Sequence, residues 1–164
     1  GSWTGIRVGV TVGKMLAFAA GKPVCGVPTL EALAMSAGQE ARLVCPIINT
    51  GARDMVYAAF YRSRNNELTR EGDYYVGDVP GLAGMIKEPA VITGPEAETH
   101  GKFIRQALGS DINIKVITAA PRGATVARLA AARLERGESD DTLALAPLYL
   151  KESTARALQR RVVT

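Results

Sequence analysis

Apolar and polar positions recur along this chain with two periods, and each change of period marks an element. Between Thr4 and about residue 20, Ile6, Val8, Val10, Val12, Met15, Leu16 and Phe18 leave only Arg7, Thr11 and Lys14 polar. Those three fall at i, i+4 and i+7, one narrow stripe of a helix. Thr4 is placed to cap it, and Gly21 and Pro23 stop it. Gly5, Gly9 and Gly13 repeat every fourth position inside it. A glycine costs a helix roughly 1 kcal/mol against alanine, so three in register need a reason. Bare backbone on one stripe lets a second helix approach closely. Two readings fit: a core helix of this chain with neighbours on most sides, or a helix that docks a partner.

The remaining pattern alternates between strand and helix. Residues 23–27 predict a short strand, and Thr29 a cap for a helix over 30–37 closed by Gly38. An apolar run over 43–48 meets the turn Asn49-Thr50-Gly51, returns over 55–61, and turns again at Asn65-Asn66 into 67–76. This is an antiparallel meander of three strands. A weak helix over 78–86, a buried strand over 89–93 and an amphipathic helix over 96–108 follow. Next come a strand over 114–119 and a helix over 125–136, with Val126, Leu129, Ala130 and Leu134 on one face. A polar loop over 138–141 leads to a semi-apolar extended run over 143–150 held by Pro147, and then to a helical tail. A meander followed by alternating helices and strands describes a ribonuclease-H-like mixed sheet.

Composition changes little. The 164 residues are 47% hydrophobic and 22% charged, as in globular domains. The net charge of +4 permits contact with RNA without requiring it, and the late arginines read as solvated helix faces. No apolar stretch is long enough for a membrane span. Cys25 and Cys45 sit in apolar runs without metal or redox spacing, as buried free thiols of a reducing cytosol would. The single histidine, His100, is predicted on the surface of a polar helix near Glu96 and Glu98, where no metal pair can form. Neither a Walker loop nor a Gly-x-Ser-x-Gly elbow is present.

The stretch GSWTGIRVGVTVGK resembles the Gly-Ser-Phe-Thr-Gly-x-Arg-x-Gly segment of the bacterial TsaB (YeaZ) family, with Trp3 in place of phenylalanine. The run from Gly26 through Val27, Pro28, Thr29, Leu30, Glu31, Ala32, Leu33 and Ala34 is similar to the family's Gly-Val-Ser-Ser/Thr-Leu-Glu-Ala-Leu-Ala. Asp141, Leu143, Leu145, Pro147, Tyr149, Leu150 and Lys151 resemble its Asp-Pro-Leu-x-Leu-x-Pro-x-Tyr-Leu-Arg ending. These motifs keep their order over nearly the whole chain. The family's Asp-Ala-Arg-x-x-Glu-Val-Tyr run departs here, with Thr50 and Met55 replacing its acidic residues while Arg53 and Tyr57 remain. Family members carry a hairpin, a strand and a helix before the first motif, which this sequence does not show. The chain is therefore expected to self-associate through its first helix or to depend on a preceding segment.

The resemblance implies an α/β, actin-like, two-lobed fold of the sugar-kinase and chaperone-ATPase class, with ribonuclease-H-like lobes and mixed sheets. The first lobe is incomplete and covers residues 1–42; the second covers 43–164 with the helical tail. It further implies a non-catalytic scaffold subunit of the tRNA threonylcarbamoyladenosine machinery, cytoplasmic and bacterial. Such a subunit pairs with a TsaD-like transferase and a TsaE-like ATPase, meets tRNA indirectly and forms a homodimer when alone. No catalytic or metal-ligating residue is assigned, and no cofactor is expected on this chain, ATP and metal belonging to partner subunits. The partner surface is expected at Gly5, Arg7, Gly9, Val10, Gly13 and Lys14. The residues matching family motifs are Ser2, Thr4, Gly5, Arg7, Arg53, Tyr57, Pro147 and Tyr149. The alternatives are a glycoprotease-family hydrolase, against which the single histidine argues for any zinc version, and an autonomous actin-like ATP-binding protein.

Overall fold

The computed structural model describes residues 3–38, 42–52, 54–64 and 67–150. Helices α1 (Trp3–Ala20) and α2 (Thr29–Ser36) precede three strands, β1 (Leu43–Asn49), β2 (Met55–Arg64) and β3 (Glu67–Asp78). Then follow α3 (Val79–Met85), β4 (Ala90–Gly94), α4 (Ala97–Leu108), β5 (Ile114–Thr118) and α5 (Gly123–Glu135). The strands form one sheet in the order β3-β2-β1-β4-β5. The β1–β2 and β2–β3 pairs are antiparallel, whereas β1–β4 and β4–β5 are parallel. This is the ribonuclease-H-like mixed sheet that the element pattern predicts.

Strand composition follows position in the sheet. Central β1 and β4 are covered on both faces and read as almost continuous apolar runs. Edge strand β3 carries Glu67, Arg70, Glu71 and Asp73 and is mostly exposed, which protects an unpaired edge. Pro46 cannot donate to a ladder, and the β1–β2 register skips Cys45 and Pro46. The β2–β3 register shifts between Ala58 and Phe60, with Gly72 at φ 69° inside the extra loop of β3, a backbone position that suits glycine.

Alternation along the strands divides the core in two. Cys45, Ile47, Val56 and Ile92 face Leu82, Ala97 and Ile104 of α3 and α4. Val44, Ala59, Tyr61 and Val91 face Leu30 and Ala34 of α2. Burying each large aliphatic side chain contributes about 1.5–3 kcal/mol. Burial also pushes the Cys45 thiol up to about 12.

Several sequence expectations are corrected. The strand over 23–27 is only an isolated bridge between Val24 and Asp140, because no neighbouring ladder extends it among the described residues. Thr29 is the first residue of α2, and extended Pro28 takes the cap position without a side-chain bond. Thr4 lies inside α1, which already includes Trp3, and so does not cap it. Cys25 is only half-buried, its Sγ 3.4 Å from the Glu138 carbonyl. His100 is 8% exposed rather than on the surface, because it shares the inward stripe of α4 with Ala97, Gly101 and Ile104. Finally, α1 is not enclosed: Phe18 is 74% and Met15 67% exposed. The expected Asn65-Asn66 turn and the helical tail after residue 150 lie outside the described residues.

Candidate functional site

The site is built where α1 meets the run that follows Asp140. On α1, Val10, Gly13, Lys14 and Ala17 are half-buried, and the rest of its described side chains are exposed. Lys14 Nζ donates to the carbonyls of Leu143 and Leu145, each at 2.8 Å. Arg7 Nε donates to Tyr149 Oη at 2.8 Å, and its guanidinium lies 5.8 Å from the centre of the Tyr149 ring. Two cations one heptad apart on α1 therefore hold one stretch of chain, a turn and the residues after it.

That stretch is shaped by Asp141. Its Oδ1 accepts from the backbone of Leu143 at 2.7 Å and of Ala144 at 3.1 Å. The Leu145 N–H returns to the Asp141 carbonyl at 2.8 Å. One closed turn results, its carbonyls aimed at Lys14 as at a basic helix C-cap.

A second cluster fixes the same run to the body. Asp140 Oδ2 accepts from Gly26 N at 2.7 Å, and Asp140 N donates to the Val24 carbonyl at 2.8 Å. Arg133 Nη1 donates to the Gly26 carbonyl at 2.8 Å, and its Nη2 lies 3.4 Å from Asp140 Oδ1. A Cβ on Gly26 would stand 2.9 Å from Leu145 Cδ1, a side-chain tip that would have to shift to admit it. Glu138 bonds Arg136 first and Arg133 second, and these contacts hold its carboxyl below the usual carboxylate range. Burial pushes the Glu31 carboxyl up, with Arg133 opposing.

Of the residues singled out by sequence, the structure brings together Arg7, Lys14 and Tyr149. Pro147 is half-buried in the same run, as Val10 and Gly13 are on α1. Gly9 and Gly13 have open space where a Cβ would stand. Gly5 and Thr4 are exposed on the first turns of α1. Tyr57 lies elsewhere, on the sheet face packed by α2. Ser2 and Arg53 lie outside the described residues. The Arg133–Asp140–Gly26 cluster was missed by sequence reasoning. Its only trace there is a pair of aspartates just before an apolar run.

A polar group also sits at the carboxyl ends of β1 and β4. His100 Nε2 is 2.8 Å from Asn49 Oδ1. Nearby in sequence, Thr93 Oγ1 and Glu96 Oε2 are buried without a hydrogen-bond partner. Among the described residues, no group of three or more His, Cys, Asp or Glu side chains could hold a metal ion. No helix there is long and apolar enough to cross a membrane.

Residues 1–158 match the family model described as TsaD, tRNA N6-adenosine threonylcarbamoyltransferase. The chain is 31% identical over 160 residues to the tRNA threonylcarbamoyladenosine biosynthesis protein TsaB of Bacillus subtilis (strain 168), covering 96% of this chain and 68% of that protein. Two solved structures from Pseudomonas aeruginosa are similar. A protein described as uncharacterized, with similarity to peptidase YEAZ, has a TM-score of 0.74 at 25% identity, over 92% of this chain and 69% of its own. YeaZ gives a TM-score of 0.73 at 25% identity, over 92% and 70%. The mixed sheet is thus that of the actin-like class, and the chain belongs to the TsaB (YeaZ) family.

Proposed function

We propose that this chain is a non-catalytic accessory subunit of the tRNA threonylcarbamoyladenosine machinery that holds a TsaD-type transferase through the outward face of α1. The observation that carries the reading is that face. Val8, Val12 and Met15 lie at i, i+4 and i+7, all exposed, with Leu16 and Phe18 exposed beside them. Open space over Gly9 and Gly13 leaves room for a second backbone. Large apolar faces on soluble proteins mark partner sites. The name of the Bacillus subtilis relative supports the placement in tRNA modification.

In this reading the chain works in the cytoplasm, meets tRNA and a TsaE-type ATPase through the complex, and pairs with itself through the same face when alone. ATP and metal ions sit on the partner subunits. In this reading a first lobe ends near residue 42 and a second follows, and α2 of the first packs onto the sheet of the second.

Reconstitution tests it. Threonylcarbamoyladenosine formation on tRNA by TsaD- and TsaE-type partners is expected to require this chain. Val12→Asp should place an unpaired carboxylate in the interface and lower both co-purification and product at least tenfold, about 1.4 kcal/mol, with circular dichroism unchanged. Full modification without the chain, or undiminished binding by Val12→Asp, overturns the reading. Peptide or ATP hydrolysis by the chain alone would replace it with the hydrolase or ATP-binding alternative.

A further inference from the structure

The pose of α1 has an unusual mechanical basis. It makes no substantial packing contact with any described strand or other helix. Among the described residues, its Arg7 and Lys14 side chains bond instead to residues 143–149, about 130 to 140 positions away in sequence. We propose that residues 141–150 act as a latch that holds α1 at a fixed angle to the sheet, with Lys14 and Tyr149 as positioning residues for assembly.

The chain of contacts is continuous. The sheet holds α2 through Leu30 and Ala34. The segment before α2 is bonded to Asp140 and Arg133 through Val24 and Gly26. Asp141 then closes the turn that presents two carbonyls to one ammonium on α1. Lysine suits this place: it has three donors on a flexible stem and bonds both carbonyls at once. Arg7 and Tyr149 add a second point of attachment, so α1 can neither roll nor swing without breaking one of them. Both attachments lie on the stripe turned toward the run, while Val8, Val12 and Met15 stay exposed. The latch therefore sets the pose of the partner face without touching the partner. This inference rests on the reading of α1 as that face.

The test compares Lys14→Met, Tyr149→Phe and their combination with Lys14→Arg, in the full chain. Two readouts are taken: amide hydrogen exchange, and affinity for a purified TsaD-type transferase. Lys14→Met and the double variant are expected to raise exchange at least tenfold through α1 and residues 142–146, while β1 and β4 keep their protection. Affinity should fall about tenfold, and Lys14→Arg should preserve both readouts. Unchanged exchange in the double variant overturns the latch, whatever happens to binding. Raised exchange with unchanged affinity overturns the positioning role, even where Val12→Asp loses binding and the partner-face reading survives. If Val12→Asp binds like the parent, the partner-face reading and the positioning role fall together, and exchange alone decides the latch.

Discussion

His100 shows how a single residue is misread and what it does. Glu96 and Glu98 make its surroundings look polar in sequence, yet the stripe of Ala97, His100, Gly101 and Ile104 turns it inward. Its ring meets Asn49 at the end of β1, 2.8 Å away, and so ties α4 to the strand. His100→Ala removes this bond, and because Asn49 is exposed and can turn to water the loss should cost about 0.5–1.5 kcal/mol in stability. Threonylcarbamoyladenosine formation with partners present should be unchanged at temperatures where the variant is folded. Urea titration and the tRNA assay check the two halves, and a tenfold loss of product in a folded variant would reveal a catalytic role. Side-chain periodicity was enough to place this residue, since the correct helix was already legible over 96–108. Proline at a cap was harder to see. Pro28 holds the extended backbone before α2 by its ring alone, whereas the hydroxyl beside it suggested a capping bond that does not form.

At the scale of elements, the sheet and its helices were legible because each strand has a clear period or a clear apolar run. The strand over 23–27 misled, because a short apolar run is compatible with any buried segment, and here a polar clamp rather than a ladder holds it. The exposure of α1 was equally hidden: apolar composition shows what a helix needs covered, not whether anything covers it. Among strands, β2 is tied sideways by Arg62, which bonds both Glu71 on β3 and Glu88 before β4. These bonds hold both carboxyls below their usual range. A depressed carboxylate value means that the stabilisation is complete above the unfolded value of about 4.3 and is lost as pH falls through the lower folded values. The melting temperature of Arg62→Met should therefore lie below that of the parent at pH 7, and the gap should close below about pH 4. Both groups are solvent-exposed, so salt should narrow the gap as well. A gap independent of pH from 7 to 3 would show that the guanidinium acts by packing instead.

For the whole molecule, the β1–β2–β3 meander follows from short connections visible in sequence, whereas β4 crosses over to pair in parallel with β1 rather than with β3. The clamps that join Gly26 to Arg133 and Lys14 to Leu145 are not visible, because they link residues 107 and 131 positions apart with no shared period. That separation orders events in time. A ribosome releases α1 before the sheet and before the run that receives Lys14, so the helix spends the synthesis of the entire sheet without the contacts that fix it. Distant contacts of this kind also form late in refolding, since long loops must close before they are rewarded. Pulse-labelled exchange during refolding should find β1 and β4 protected first and α1 afterwards, and simultaneous protection would contradict that order. A nascent chain in this condition carries one long greasy helix well before the residues that fasten it, which makes α1 a segment that holdase chaperones should find while the sheet is still being made.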